Sequence, residues 1–348
     1  MSVALGTNGK SEPSTQTLTH CRVCGGPVDF AWTVREMMIG TRDSFDYYEC
    51  RDCGCLQIGR IPLDLDRYYD DVYYTKSQRL HRLRPGGLFG LRRRWTRLRL
   101  LESGFVRAVS GRRYARFEWF RRTGTGLSDK ILDVGCGSGR LLRRLYVEGF
   151  ERLTGIDARL ENGLQGADGL DFGCVSLEDH RGCYRLVMSH HSFEHMEDPV
   201  RGFAAFARLV EPGGTLLLRL PIADCWARRH YGANWVQIDA PRHLHLHTRR
   251  SIKILAEHAG FRVAHVADDS GPFQIWGSEL YQRGITLEQA GRGGRREFSL
   301  LDRLSARIRA RQLSRRGSGD QACFYLQREL GHEGGEGVEG GEGASEST

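Results

Sequence analysis

Ile131-Leu-Asp-Val-Gly-Cys-Gly-Ser-Gly139 is an apolar strand end followed at once by a glycine-spaced turn, and one strand later Thr154-Gly-Ile-Asp157 ends in an acid. Gly135, Gly137 and Gly139 leave the carboxyl end of the first strand bare of side chains. A ligand can therefore lie against backbone N–H groups and the N-terminus of the next helix. About twenty residues on, the Asp157 carboxylate is placed to accept both hydroxyls of a ribose held across the crossover. The pair reads as a nucleoside site at the carboxyl edge of a parallel sheet.

The pattern from Lys130 onward alternates strand and helix. Strands are expected at about 131–134, 153–156, 172–175, 185–189, 214–220, 262–267 and 322–327, and helices near 138–148, 199–210 and 248–259. Gly149 and Gly260 sit where C-terminal glycines stop helices. Such alternation predicts a doubly wound, seven-stranded parallel sheet covered on both faces. Between the last two strands lies a long insert, 268–320, with an Arg-rich helical segment at 300–315. Inserts of this length at a sheet end often shape a substrate site.

Upstream, Cys21-Arg-Val-Cys24-Gly-Gly and Cys50-Arg-Asp-Cys53-Gly form two knuckles. Each places two thiolates at chelating spacing, and the glycine after each pair permits the tight turn. Cys21, Cys24, Cys50 and Cys53 together favour one tetrahedral Zn2+ with no open position, a structural site. Cys55 falls outside the cleaner spacing. The chain thus divides into 1–19, read as disordered; 20–62, a small zinc-ribbon-like module; 63–127, a basic and mainly helical linker or cap; 128–330, the α/β domain; and 331–348, a disordered acidic tail. In the linker, Phe105, Val109, Phe117 and Phe120 recur at helical intervals and read as core contacts.

Composition sets bounds on this reading. With 348 residues, of which 40% are hydrophobic, the chain can bury one large domain and a small module. No apolar run reaches the length of a membrane span, and the first nineteen residues lack the apolar core of a secretory signal, so a cytoplasmic location is expected. Ten cysteines are too sparse for a disulfide scaffold in a chain this long. The formal charge is +8, and the tail 331–348 holds five Glu and no Lys or Arg, which leaves +13 on the rest. Arginine concentrates between Arg79 and Arg122. That stretch suits an anionic partner such as a nucleotide-linked molecule, a phospholipid surface or RNA, or it is simply a solvated helical face.

The spacing Asp133-x-Gly135-x-Gly137-x-Gly139 departs from the G-x-G-x-x-G of dinucleotide folds. It resembles the cofactor loop of class I S-adenosylmethionine-dependent methyltransferases, whose sheet is Rossmann-like. Ser176-Leu-Glu178, Ser192-Phe-Glu-His-Met-Glu-Asp-Pro199 and Val210-Glu-Pro-Gly-Gly-Thr-Leu-Leu-Leu218 follow in the order and spacing of that family. With the four-Cys module, the Tyr-rich linker Leu65–Tyr74 and the run from Trp235 through Asp239-Ala-Pro-Arg-His243, the chain is similar to bacterial methyltransferases of surface-carbohydrate and secondary-metabolite pathways. The resemblance covers nearly everything between the tails. One departure is Tyr184-Arg185, where the family commonly has an aromatic followed by Asp.

The resemblance implies that Asp133, Gly135, Cys136, Gly137 and Gly139 surround the methionine part of S-adenosylmethionine. Asp157 with Ala158 would hold the ribose, and Leu177 and Glu178 would meet the adenine. Ser189 and His190 would face the sulfonium, and Glu194 and His195 would stand at the rim where the acceptor meets the methyl group. Methyl transfer from a sulfonium needs an aligned acceptor and, for a hydroxyl or carbon acid, a base. Histidine suits that task. His190, His191, His195, His243, His245 and His247 supply candidates, with His195 first and His243 second. Arg242 is placed either to clamp an anionic acceptor or to pair with Asp239 in its own loop. The expected activity is methylation of a small-molecule acceptor at oxygen or carbon. RNA methylation is a second reading, since some RNA methyltransferases join a zinc module to this fold, but the Arg-rich stretch lacks regularly interleaved aromatics for base stacking. A non-catalytic module that binds the cofactor or a partner is the third.

Overall fold

The structure is a computed structural model that describes residues 18–69, 91, 96, 115–160, 164, 166–291, 294 and 297–330. The tail readings for 1–17 and 331–348, and most of the basic stretch before residue 115, lie outside these residues. Three strands come first, β1 (Val28–Arg35), β2 (Ser44–Cys50) and β3 (Leu56–Ile58). After α1 (Ala115–Thr123) the chain runs through β4 (Lys130–Val134), α2 (Arg140–Val147), β5 (Arg152–Ile156), β6 (Leu170–Gly173), β7 (Tyr184–His190), α3 (Pro199–Leu209) and β8 (Val210–Pro221). Then come α4 (Trp226–Tyr231), β9 (His245–Leu246), α5 (Arg249–His258), β10 (Phe261–Asp268), α6 (Phe273–Gln282), α7 (Leu300–Arg315) and β11 (Gln321–Arg328).

The large sheet has seven strands in the order β10-β11-β8-β7-β4-β5-β6. β4 lies near its middle, in parallel register with β5 on one side and β7 on the other, so both of its faces are covered. That is why Ile131, Leu132 and Val134 form an unbroken apolar run. Phe120, Phe150, Leu142 and Leu145 cover one face, and Phe203, Phe206 and Phe261 cover the other. Phe117 and Phe120 of α1 are core residues, as their spacing suggests. α2 starts directly at Gly139, whose φ is +66°; a Cβ there would lie 2.5 Å from the Phe172 ring, so only glycine lets this helix close onto β6. α3 is fixed by Asp198, whose carboxylate accepts from the Val200 and Arg201 N–H groups, with Pro199 opening the first turn. α5 is fixed by reciprocal capping between Thr248 and Ser251.

Two details differ from the sequence reading. The sheet is not wholly parallel, because β11 runs antiparallel to both β8 and β10. The insert leaves β10 at Asp268 and returns beside it, Ala322 pairing with Asp268, and a connection that starts and ends at one edge of the sheet must reverse the strand. The third strand also starts two residues early, at Leu170. The turn at Gly169, with φ of +81°, brings the chain in beside β5, where Leu153 N–H donates to the Gly169 carbonyl, and leaves Val175 beyond the strand end.

The small sheet is ordered β1-β2-β3-β9, so the Cys-rich segment is completed by a strand from far along the chain. Leu56 pairs with Leu246 and Gln57 with His245. Tyr47, Leu56, Ile58, Trp235, Leu244 and Leu246 share one buried cluster under this seam. Arg242 is fully buried and closes it. Its guanidinium donates to Asp239 Oδ1 at 2.6 Å, to Glu36 Oε1 at 2.9 Å and to the Tyr68 carbonyl at 2.9 Å. Of the two roles open to Arg242, the salt bridge to Asp239 is the one present. The Glu36 carboxylate, also fully buried, accepts the N–H groups of Met38, Ile39, Gly40 and Thr41 as well. Removing one partner of such a network strands the others without compensation. Arg242→Ala should therefore lower stability by about 3–5 kcal/mol, measured by urea denaturation; a loss below about 1 kcal/mol would contradict the clamp.

Candidate active site

The glycine turn is tied down by its neighbour strand. Gly135 and Cys136 donate their N–H groups to the Ile156 carbonyl, at 2.8 and 3.1 Å. Gly137 donates to Asp157 Oδ2 at 3.0 Å, and Arg159 N–H donates to Oδ1 at 2.9 Å. Both carboxylate oxygens are thereby aimed before any ligand arrives. A cleft of about 390 Å³ opens at this edge of the sheet, lined by Gly135, Gly137, Asp157, Ala158, Leu177 and Glu178 on one side and by His191, Ser192, His195 and Met196 on the other. Its size falls in the range of small-molecule sites. A Cβ on Gly137 would meet nothing within 4 Å, whereas one on Gly135 would lie 2.2 Å from Ser192 Oγ. Gly135 therefore allows the wall after β7 to come close.

The far wall is built by a 3-10 turn, Phe193–His195, directly after β7. His195 Nδ1 lies 2.8 Å from the Arg242 carbonyl, and a carbonyl only accepts, so Nδ1 carries the proton and Nε2 is bare. His243 Nδ1 is 2.7 Å from the Gln237 carbonyl, which fixes the same tautomer. The two rings meet edge to face at 4.8 Å. Beside them lies Glu194, fully buried, with neither carboxylate oxygen in a hydrogen bond. His243 Nε2 is 3.9 Å and His191 Nδ1 3.3 Å from Glu194 Oε1, the latter without hydrogen-bond geometry. Burial pushes the His195 imidazole down to about 4, with His243 adding to it. Burial alone would raise the Glu194 carboxyl, but His191, His195 and His243 outweigh it and hold it down at about 2.

The sequence-derived positions divide into two groups. Gly135, Gly137, Asp157, Ala158, Leu177 and Glu178 line the cleft, and Glu194, His195 and His243 come together at its rim. Asp133, Cys136 and Gly139 support the turn from behind its wall: Asp133 is buried, the Cys136 sulfur is directed at Gly155, and Gly139 faces Phe172. Ser189 and His190 are also off the wall. Ser189 is buried and His190 stacks on Trp119 with ring centroids 4.6 Å apart. His191 adopts φ of +53° and turns the chain, so His191 and Ser192 stand where the two preceding residues were expected. His245 and His247 are core groups, His247 stacking on Phe193 at 5.0 Å.

Tyr69 was not anticipated at the site. Its hydroxyl is 3.2 Å from His195 Nδ1, and the Arg159 guanidinium lies 4.0 Å over its ring. The Tyr-rich composition of the linker was the one available signal.

The four knuckle thiols converge. Cys21 and Cys53 sulfurs are 3.6 Å apart, Cys24 and Cys50 sulfurs 3.5 Å, and all four lie within 4.8 Å of one another. Four thiolates about 2.3 Å from one zinc would sit roughly 3.8 Å apart, so the set fits a tetrahedral ion. Gln57 Nε2 donates to Cys21 Sγ at 2.9 Å and holds that ligand in place. Cys55 points away, toward His247 Nδ1.

Residues 97–266 match the family model described as a methyltransferase domain. The match takes in 170 of the 348 residues, just under half of the chain. Among curated proteins, the chain is similar to the ubiquinone biosynthesis O-methyltransferase of Erwinia tasmaniensis, 30% identical over 144 residues, which is 37% of this chain and 59% of that protein. It is also similar to the protein of the same name from Bordetella bronchiseptica, 37% identical over 112 residues, 28% of this chain and 46% of that one. The chain thus spans about half the length of the curated relatives it matches. A solved structure of a SAM-dependent methyltransferase from Archaeoglobus fulgidus aligns with a TM-score of 0.40 at 16% identity, covering 62% of this chain and 92% of that one. Among the described residues, no helix is long and apolar enough to cross a membrane.

Asp133 gives the site a pH signature. Burial, with the Asp157 charge adding to it, raises its carboxyl from 3.8 to about 7. An acid whose folded pKa is raised binds its proton more tightly in the native state, so stability falls as pH rises from about 4 through 7. Asp133→Asn should flatten that slope, read as the wild-type minus variant difference in urea midpoint between pH 5 and pH 8. An unchanged difference would contradict the assignment.

Proposed function

We propose that this protein is an S-adenosylmethionine-dependent methyltransferase that methylates a small-molecule acceptor, with a hydroxyl oxygen as the favoured atom. The observation that carries this reading is the adjacency of two features: a glycine-floored cleft with an oriented Asp157, and a Glu194–His195–His243 cluster at its rim in which Glu194 and His243 are buried and His195 is partly exposed. The family match and the O-methyltransferase relatives support the donor chemistry and the preference for oxygen. Sugars, nucleotide-linked sugars and secondary metabolites remain the acceptor classes that the sequence resemblance favours.

The residues present fit the cofactor. Asp157 would accept the ribose hydroxyls, since its oxygens already face backbone donors on the cleft floor. Gly137 gives backbone access at an open position, and Leu177 offers an apolar surface beside Glu178 for the adenine ring. When bound, the sulfonium supplies a methyl group on a good leaving group, so the protein's task is alignment and proton removal. Tyr69, stacked under Arg159, lines the cleft beside His195. Proton removal falls to the rim cluster, where Arg242 and Gln237 carbonyls keep Nε2 of His195 and of His243 bare. The Cys21, Cys24, Cys50 and Cys53 module would hold a structural Zn2+ and, through β9, brace the loop that carries His243.

Calorimetric titration with S-adenosylmethionine tests the reading. Wild-type protein should bind one equivalent, and Asp157→Ala should bind roughly 10- to 100-fold more weakly, the loss expected for hydrogen bonds to a charged group. Failure of the wild type to bind would remove the proposal. Unchanged affinity in the variant would remove Asp157's role.

A further inference from the structure

Glu194, His195 and His243 turn lone pairs toward one another; a donor beside them is His191, whose Nε2 accepts from Arg219 and whose Nδ1–H lies 3.3 Å from Glu194 Oε1 without hydrogen-bond geometry. His195 Nδ1 and His243 Nδ1 are spent on backbone carbonyls, so each ring offers only a bare Nε2. Glu194 contributes two carboxylate oxygens without a hydrogen bond, and its side chain is fully buried. Asp239 Oδ2, 3.8 Å from His243 Nε2, already accepts from Arg242 Nε at 3.1 Å. Acceptors facing one another out of contact with bulk water repel unless something positive lies among them. Arg242 pairs with Asp239, Glu36 and the Tyr68 carbonyl and makes no hydrogen bond to Glu194, whose buried oxygens are left without a donor.

We infer that Glu194, His195 and His243 form a second metal site, binding a divalent first-row transition ion at the rim of the cleft. One ligand atom from each of the three residues lies within 4.8 Å of the others. Ligands about 2.1 Å from one ion stand roughly 3–3.5 Å apart, so small side-chain rotations close the set. Two imidazoles and one carboxylate with further positions open suit Zn2+, Fe2+ or Co2+ better than Mg2+ or Ca2+, which prefer oxygen. The support behind the ligands is already in place: each imidazole donates its other N–H to a carbonyl, the arrangement that orients metal-binding histidines. This site differs from the Cys21–Cys53 module in kind, since three protein ligands leave room for a substrate whereas four thiolates do not.

The site opens on the cleft, because His195 lines both. It would therefore take an acceptor whose hydroxyl has a second oxygen next to it, both able to reach the ion. That acceptor class rests on the methyl-transfer reading; the metal site itself does not. With an ion bound, the Nε2 atoms are ligands, and the ion's charge in place of a histidine base acidifies the hydroxyl.

Co2+ titration of the full chain, followed by absorbance and by metal content after gel filtration, tests the site. The expected result is two ions per chain: one with intense thiolate-to-metal charge transfer, and one with only weak ligand-field bands. Glu194→Gln and His243→Gln should each weaken the second ion about a hundredfold or more and leave the charge-transfer bands intact. A wild type that saturates at one ion per chain overturns the inference whatever the variants do. So does a second ion that survives both substitutions. Because S-adenosylmethionine binding is measured separately, a one-ion protein that still binds the cofactor would overturn the metal site and leave the methyltransferase proposal standing.

Discussion

The buried Arg242 guanidinium is the constraint on which the rest of the site depends. It is fully enclosed, so its charge has to be matched inside the protein, and Asp239 and Glu36 match it from two regions separated by about two hundred residues of chain. Glu36 is itself fixed by the backbone of residues 38–41, which means that the clamp holds a whole loop of the Cys-rich segment. The carbonyl of Arg242 orients His195, and the next residue is His243, whose own carbonyl accepts the Tyr47 hydroxyl at 2.9 Å. Two residues later the chain enters β9 and completes the small sheet. The knuckle module is therefore a bracket for the rim of the cleft, built into the same hydrophobic seam as Trp235 and Leu244.

The two sides of the cleft are organised in opposite ways. On the glycine floor the backbone donors are already engaged: Gly137 N–H and Arg159 N–H both bond the Asp157 carboxylate. The rim is rich in acceptors, with Glu194 and two bare imidazole nitrogens. A ligand that bridges the cleft would meet Asp157 at one end and those acceptors at the other. Under the proposed methyl-transfer reading, the unengaged acceptors on the Glu194 side are where a cationic sulfonium and an acidic hydroxyl would be accommodated.

Features set by local spacing were legible in the sequence. The glycine turn, Asp157, the two Cys pairs and the Asp198-Pro199 helix start each depend on residues a few positions apart, and the structure places them as their spacing suggests. What depends on distant pairing was not legible. Nothing in the run Val34-Arg-Glu36 announces a partner at Arg242, and no periodicity assigns His245–Leu246 to a sheet begun near residue 28. Tyr69 reaches His195 across 126 positions. That His191 and Ser192, and not Ser189 and His190, line the cleft follows from a single left-handed residue, His191, and a non-glycine residue gives no warning of a positive φ. The antiparallel β11 was hidden for a similar reason, because direction is decided by where the insert re-enters the sheet.

The central claim is that the cleft and the rim are two halves of one methyl-transfer site. A crystal structure with S-adenosylhomocysteine bound tests it most directly. The account predicts ribose hydroxyls on Asp157, the adenine against Leu177, and the sulfur directed toward the Glu194–His195–His243 cluster. A sulfur turned away from that cluster, or a nucleoside bound elsewhere on the protein, would contradict it.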